Sequence, residues 1–235
     1  MVPDSISDLI AARSAQIIET RRFFHGIPEL GFEENETGKA IADRLTAAGL
    51  AVETGIGKTG LVAVLEGAKP GPRLMIRADI DGLPVDELTG LDFASTNGRM
   101  HACGHDGHIT IAVTAAEILA AMKDQLAGTL IFVFQPAEEV VMGALAMIDD
   151  GLFEKYPADR VIGTHLWNQI PTGTIGVNRA TVFASADQFR LTVHGKGGHG
   201  AMPHKTIDPV AAIAEIITTA QTVVSREVPP NEMGA

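Results

Sequence analysis

Apolar residues recur at helical spacing near the start of the chain, at Ile6, Leu9, Ile10, Ile17 and Ile18. This predicts a helix over 4–24, with Asp4 or Ser5 as its N-cap. A loop punctuated by Gly26, Pro28 and Gly31 follows. A second helix is expected over about 34–48, closed by Gly49 as a glycine just past its end. The pattern then changes period. Short aliphatic and β-branched runs at 50–53, 60–66 and 73–79 lie between Gly and Pro boundaries and read as strands. Residues 109–122 are Ala-rich and apolar on one side, which predicts a helix. The run 128–135 reads as a buried strand leading into Pro136-Ala137-Glu138-Glu139 and a helical stretch that ends near 149–151. Residues 159–165 form one more strand in this reading.

Strands alternating with helices predict an α/β domain with a mostly parallel sheet. In such sheets ligands bind beyond the carboxyl ends of the strands. Asp79 and Asp81, Glu138 and Glu139, and His165 occupy that position on three predicted strands. After Pro171 the character changes. Residues 174–177 and 189–193 read as strands of a second unit, followed by the glycine-rich loop 195–204 and a helix over about 208–225. That loop lacks the spacing and the closing Lys-Ser/Thr of a phosphate-binding P-loop.

Composition narrows the function. A chain of 235 residues with 46% hydrophobic content can bury one large core or two smaller ones. Its net charge of −11, with one Trp and one Tyr, makes it a poor nucleic-acid binder. No apolar run approaches the ~18 residues of a membrane span. The first ten residues carry Asp4 and Asp8 and no basic segment, unlike a secretory signal. A single Cys excludes an internal disulfide framework and fits a reducing, cytoplasmic setting.

The densest chemistry is Met100-His-Ala-Cys-Gly-His-Asp-Gly-His108, with three His, one Asp and the only Cys within nine residues. Imidazole, thiolate and carboxylate are the ligands of divalent transition metals. Cys103, His105, Glu139 and His165 together offer sulfur, nitrogen and oxygen donors suited to Zn(II) or a similar ion. Cys103 and His105, two apart, point to one side of an extended loop. Glu138 and Glu139 are adjacent, so both do not easily face one metal; one can ligate while its neighbour takes a proton from water. Each residue also has a plainer reading. Paired Glu residues suit a helix N-terminus, His165 alone suits a core, and Asp79 and Asp81 suit a turn or the orientation of a ligand His. His101 and His108 read as supporting groups, with His108 a reserve ligand on the His105 face of a helix.

Five ordered motifs carry a resemblance. They are Arg77-Ala-Asp79-Ile-Asp81-Gly-Leu-Pro, the 100–108 stretch, Gln135-Pro-Ala-Glu138-Glu139, Gly163-Thr-His165, and Gly195-Lys-Gly-Gly-His199-Gly-Ala-Met-Pro-His204. The chain resembles the aminoacylase/carboxypeptidase metallopeptidase family, in the branch of hippurate hydrolase and the indole-acetyl-amino-acid hydrolases. The resemblance implies a zinc-peptidase-like three-layer α/β/α catalytic domain over 1–178. It also implies the first part of an inserted ferredoxin-like α+β lid or dimerisation domain over 179–235. It implies two divalent ions (Zn, Mn, Co or Ni), with Cys103 bridging and His105, Glu139 and His165 as further ligands. Glu138 would be the general base, and His199 would bind the substrate carbonyl. The implied substrate is a small N-acyl amino acid, and the implied assembly is a homodimer or homotetramer through the lid.

The family pattern has one more His ligand near its C-terminus, whereas all eight His here lie at or before His204. The chain is therefore expected to be C-terminally truncated, with an incomplete site and weak or absent activity. The alternatives are a related exopeptidase, an N-acetyl-diamino-acid deacetylase, or a catalytically incomplete metal-binding remnant.

Overall fold

The computed structural model describes residues 6–177 and 189–229. The chain divides after Thr174 into two compact units. The expected boundary at 178/179, and the cap offered by Asp4 or Ser5, lie outside the described residues.

The first unit opens with α1 (Ile6–Ala12) and α2 (Ser14–His25) in place of one continuous helix. The break falls at Arg13, whose N–H bonds to the Ile10 carbonyl three residues back, a tighter turn than the α-helix allows. Next comes α3 (Asn35–Ala47), followed by Gly49 at φ +86°, the left-handed exit expected of that glycine.

Five strands follow: β1 (Ala51–Ile56), β2 (Gly60–Glu66), β3 (Lys69–Asp79), β4 (Ala127–Gln135) and β5 (Arg160–Gly163). They form one sheet in the order β1-β2-β4-β3-β5. The expectation of a mostly parallel sheet holds for only one side. β3 is parallel to both β4 and β5, but β1–β2 and β2–β4 are antiparallel. The link from β1 to β2 is only 57–59, long enough for a hairpin and too short for the crossover a parallel pair needs.

Helices cover both faces, giving three layers. On one side α2, α3 and α4 (His105–Ala121) bury Phe24, Ile41, Leu45, Ile109 and Val113 against Leu61, Phe132 and Phe134. On the other, α5 (Gly143–Asp149) and α6 (Leu152–Lys155) bring Met147 and Leu152 onto Val62, Ile131 and Val133. Strand alternation explains the division. Phe132 and Phe134 point one way from β4 while Ile131 and Val133 point the other, so residues 130–134 are all apolar because this stretch is covered twice.

The second unit contains α7 (Pro209–Thr222), capped by Asp208 accepting from the Val210 N–H, and a π-helical turn at Val223–Glu227. The two strands expected here do not form. Residues 174–177 and 189–193 have no regular structure, and Ile175 and Val177 are 88% and 87% exposed. Their alternating pattern finds no neighbouring strand among the described residues.

Candidate metal centre

Strand register builds the site. Asp79 at the end of β3 is paired with Gln135 at the end of β4, and Gly163 at the end of β5 is paired with Arg77. Three parallel carboxyl ends therefore share one rim, and Asp81, Glu138, Glu139 and His165 lie just beyond it.

The Cys/His loop reaches the same rim because α4 begins at His105, four residues earlier than its apolar pattern suggests. Gly104 caps it at φ +89°, a conformation that a residue with a Cβ adopts at a cost. Gly107 lets a neighbour approach, since a Cβ there would lie 2.4 Å from Leu166 Cδ1. The Leu166 N–H donates to His108 Nε2 at 2.8 Å, tethering the His165 segment to α4.

Five of the predicted site residues converge. Cys103 Sγ is 3.5 Å from His165 Nε2. His105 Nε2 is 3.8 Å from Glu138 Oε2 and 3.9 Å from Glu139 Oε1. One ligand atom from each of Cys103, His105 and His165 falls within 4.8 Å of the others, and so does one from each of His105, Glu138 and Glu139. His105 belongs to both groups. Adjacency does not separate the two glutamates as expected. Residues 138–141 form a turn and no helix starts until Gly143, so both carboxylates approach the same imidazole.

Supporting groups set the donors. The His105 Nδ1–H donates to the Asp81 carbonyl at 2.9 Å, which leaves Nε2 pointing into the cluster. His165 Nδ1 likewise donates to the Leu166 carbonyl at 2.7 Å. Asp81 Oδ2 accepts from the Glu139 N–H at 3.0 Å, fixing the backbone of that glutamate. His108 falls with Asp79 and His105 in a third possible ligand group, while its Nδ1 donates to Asp79 Oδ1 at 2.5 Å and its Nε2 accepts from the Leu166 N–H. His101 is buried with neither ring nitrogen in a hydrogen bond. Burial pushes its pKa down to about 4, with nearby His105 and His25 adding to the effect.

Carboxylate charge acts on both Cys103 and His105. Burial and the negative charges of Glu139, Glu138 and Asp79 push the Cys103 thiol up to about 11. Burial and repulsion from Glu138 and Asp81 raise Glu139. Burial works against charge on His105, but Asp81, Asp79 and Glu139 outweigh it and raise its pKa to about 8. Burial also opposes charge on Asp79, yet His108, His105 and Arg77 hold it well below the usual carboxylate range.

Two donor atoms, His105 Nε2 and Glu139 Oε1, are buried without a hydrogen-bond partner. Orphaned buried polar atoms are costly, and these two belong to residue types that bind divalent metals. The donor set therefore fits a divalent ion.

A network missed by sequence reasoning stands behind the loop. Asp106 Oδ2 accepts from His25 Nδ1 at 2.7 Å and from Arg21 Nε at 2.7 Å, and His25 Nε2 meets Glu87 Oε1 at 2.9 Å. Asp106, next to His105, is thus anchored to α2 across 81 residues of chain. His199 lies in the second unit, where its Nδ1 accepts from the Ala201 N–H at 3.1 Å.

The fold places a set of candidate metal ligands on one rim of the sheet. Residues 75–235 match the model of peptidase family M20/M25/M40, and the chain belongs to that family. It is 41% identical over 234 residues to an N-acyl-L-amino acid amidohydrolase of Geobacillus stearothermophilus, covering 99% of this chain and 63% of that one. It is 44% identical over 219 residues to an N-acetyldiaminopimelate deacetylase of Streptococcus sanguinis, covering 92% and 58%. Among solved structures it is similar to the YXEP protein of Bacillus subtilis, a dinuclear metal binding peptidase of the M20 family. That match has a TM-score of 0.67 and 40% identity, and covers 72% of this chain and 47% of the other. The chain thus spans less than two thirds of the length of these curated relatives.

Proposed function

We propose that the protein takes part in metal-dependent hydrolysis of the amide bond of N-acyl amino acids, releasing a carboxylate and a free amino acid. The observation that carries this reading is the orphaned pair His105 Nε2 and Glu139 Oε1, beside the Cys103–His165 contact. In this reading Cys103, His105, Glu139 and His165 would hold two divalent ions; Zn, Mn, Co and Ni all suit the donors. Bound there, the ions supply Lewis acidity that makes water acidic and a carbonyl electrophilic.

The chain's own groups do the rest. Glu138, whose side chain is 39% exposed against 20% for Glu139, is the glutamate more open to water. It takes the proton of the attacking water and returns it to the departing amine. Asp81 keeps the His105 ring in the tautomer that presents Nε2. His199 in the glycine-rich loop binds the substrate carbonyl oxygen as charge develops on it. The assembly proposed is a homodimer or homotetramer through the second unit, and the compartment proposed is the cytoplasm. No helix among the described residues is long and apolar enough to cross a membrane.

The identity to an N-acetyldiaminopimelate deacetylase supports a second reading within the same chemistry, deacetylation of an N-acetyl diamino acid. Hydrolysis assays on N-acetyl and N-benzoyl amino acids (hippurate included) and N-acetyl diamino acids, each with and without chelator, separate the readings. Chelator-sensitive cleavage of the monoamino substrates supports the first, and cleavage confined to diamino substrates supports the second. Cleavage that a chelator leaves unchanged would contradict both.

A further inference from the structure

Glu34 lies in the acidic run Glu33-Glu34-Asn35-Glu36, yet its side chain is fully buried. It stands at the N-cap position of α3 and makes no capping bond to that helix. Its carboxylate reaches across the fold instead. Oε1 accepts from the Ala137 N–H at 2.8 Å, 103 residues away, and Oε2 accepts from the Thr59 hydroxyl. Burial raises the pKa of this carboxyl group against those two bonds and weaker backbone contacts at Glu34 and Phe32. A carboxylate is costly in such a place unless its contacts are needed.

What it grips is a strained residue. Ala137 is itself fully buried and has φ +50°, the left-handed region that disfavours any residue with a Cβ. It immediately precedes Glu138 and Glu139. Its carbonyl accepts from Met142 N at 3.3 Å and Gly143 N at 3.1 Å, closing the turn. From the other side Gly31 lies flush against it, where a Cβ would stand 2.9 Å from Ala137 Cα. Strain of this kind persists only where surrounding contacts enforce it.

We infer that Glu34 is a positioning residue: it holds Ala137 in its left-handed conformation and so aims Glu139 and Glu138 at His105. The inference rests on the metal-site reading above. Glu34 touches neither the donors nor a substrate, so its effect is read through the geometry of Glu139.

The test is a Co(II) titration of the protein, followed by the d–d spectrum and the thiolate-to-cobalt band. Glu34→Ala should weaken binding by roughly 10–100-fold and shift the d–d spectrum. Glu34→Gln, whose amide oxygen still accepts from Ala137, should restore the affinity. Thr59→Val, which removes only the other bond, should lower the unfolding midpoint and leave affinity unchanged. Unaltered binding in folded Glu34→Ala would overturn the inference, and so would an equal loss of affinity in Thr59→Val. Should Glu34→Ala not fold, Gly31→Ala decides by pressing on Ala137 with Glu34 intact. Weaker binding with a shifted spectrum upholds the inference, and unchanged binding overturns it. Absence of the thiolate band in the unsubstituted protein would overturn the metal reading itself, and the inference with it.

Discussion

Cys103 Sγ stands 3.5 Å from His165 Nε2, although 62 residues separate them along the chain. The contact joins the loop before α4 to the segment after β5. It exists because β5 runs parallel to β3 and ends at the same rim. Sulfur and imidazole at this distance, with carboxylates nearby, form a set of ligand atoms that a cation would draw together.

Metal uptake should release protons. The Cys103 thiol is pushed up to about 11 and the His105 imidazole to about 8, so at neutral pH both donors carry protons that a cation must displace. Between pH 8 and 11 the affinity should rise by roughly tenfold per unit from the thiol alone, and more steeply below pH 8, where His105 also gives up a proton. Calorimetric titration in buffers of different ionisation enthalpy measures the protons released. A pH-independent affinity would contradict the assignment of both donors.

Acid should destabilise the fold through Glu87. The Thr89 hydroxyl, His25 and the Ser95 N–H hold this carboxylate down to about 2 despite its burial. A depressed folded-state pKa contributes stability above the unfolded value near 4.5, and that stability is lost as pH falls toward 2. The urea midpoint should therefore drop between pH 5 and 3. Glu87→Gln should flatten the drop by an amount on the order of 2 kcal/mol. An equally steep decline in that variant would assign the acid lability elsewhere.

Glu138→Gln should leave metal stoichiometry intact and reduce turnover by roughly 10²–10⁴-fold, the range of a lost general base. The amide keeps the shape of the side chain but cannot take the proton. Metal analysis beside steady-state kinetics checks both halves. Retained turnover would sink the role of Glu138, and lost metal would make it a ligand.

Gly143→Ala should disturb the same turn from its far end. A Cβ at Gly143 would fall 1.6 Å from the Pro136 carbonyl oxygen, a backbone atom that cannot swing aside. The fold should lose on the order of 1–3 kcal/mol by overpacking, and Glu139 should move with residues 136–137. Thermal unfolding and Co(II) affinity should both fall. A variant that matches the parent in both would show the turn to be pliable.

The sequence made much of the centre legible, because its signals are local or lie at strand ends. The 100–108 run is dense enough to read by itself, and Glu139 and His165 follow strands whose carboxyl ends point to a binding rim. The start of α4 was hidden because Gly104-His105-Asp106-Gly107 has no apolar period and glycine usually breaks helices. The antiparallel half of the sheet was hidden because a strand's residues do not declare its direction. Nor did Glu34 stand out, since an acidic run before a helix looks solvated. The anchoring of Asp106 by His25 and Glu87 spans 81 and 62 residues, and no local pattern encodes it. Conversely, 174–177 alternates like a strand but has no partner in the described residues, and pairing is what makes a strand.

X-ray absorption at the zinc edge of the metal-loaded protein tests the central claim most directly. The account predicts a sulfur neighbour at about 2.3 Å and nitrogen or oxygen neighbours at about 2.0–2.2 Å, with the sulfur shell lost in Cys103→Ser. A spectrum fitted by nitrogen and oxygen alone in the unsubstituted protein would contradict it.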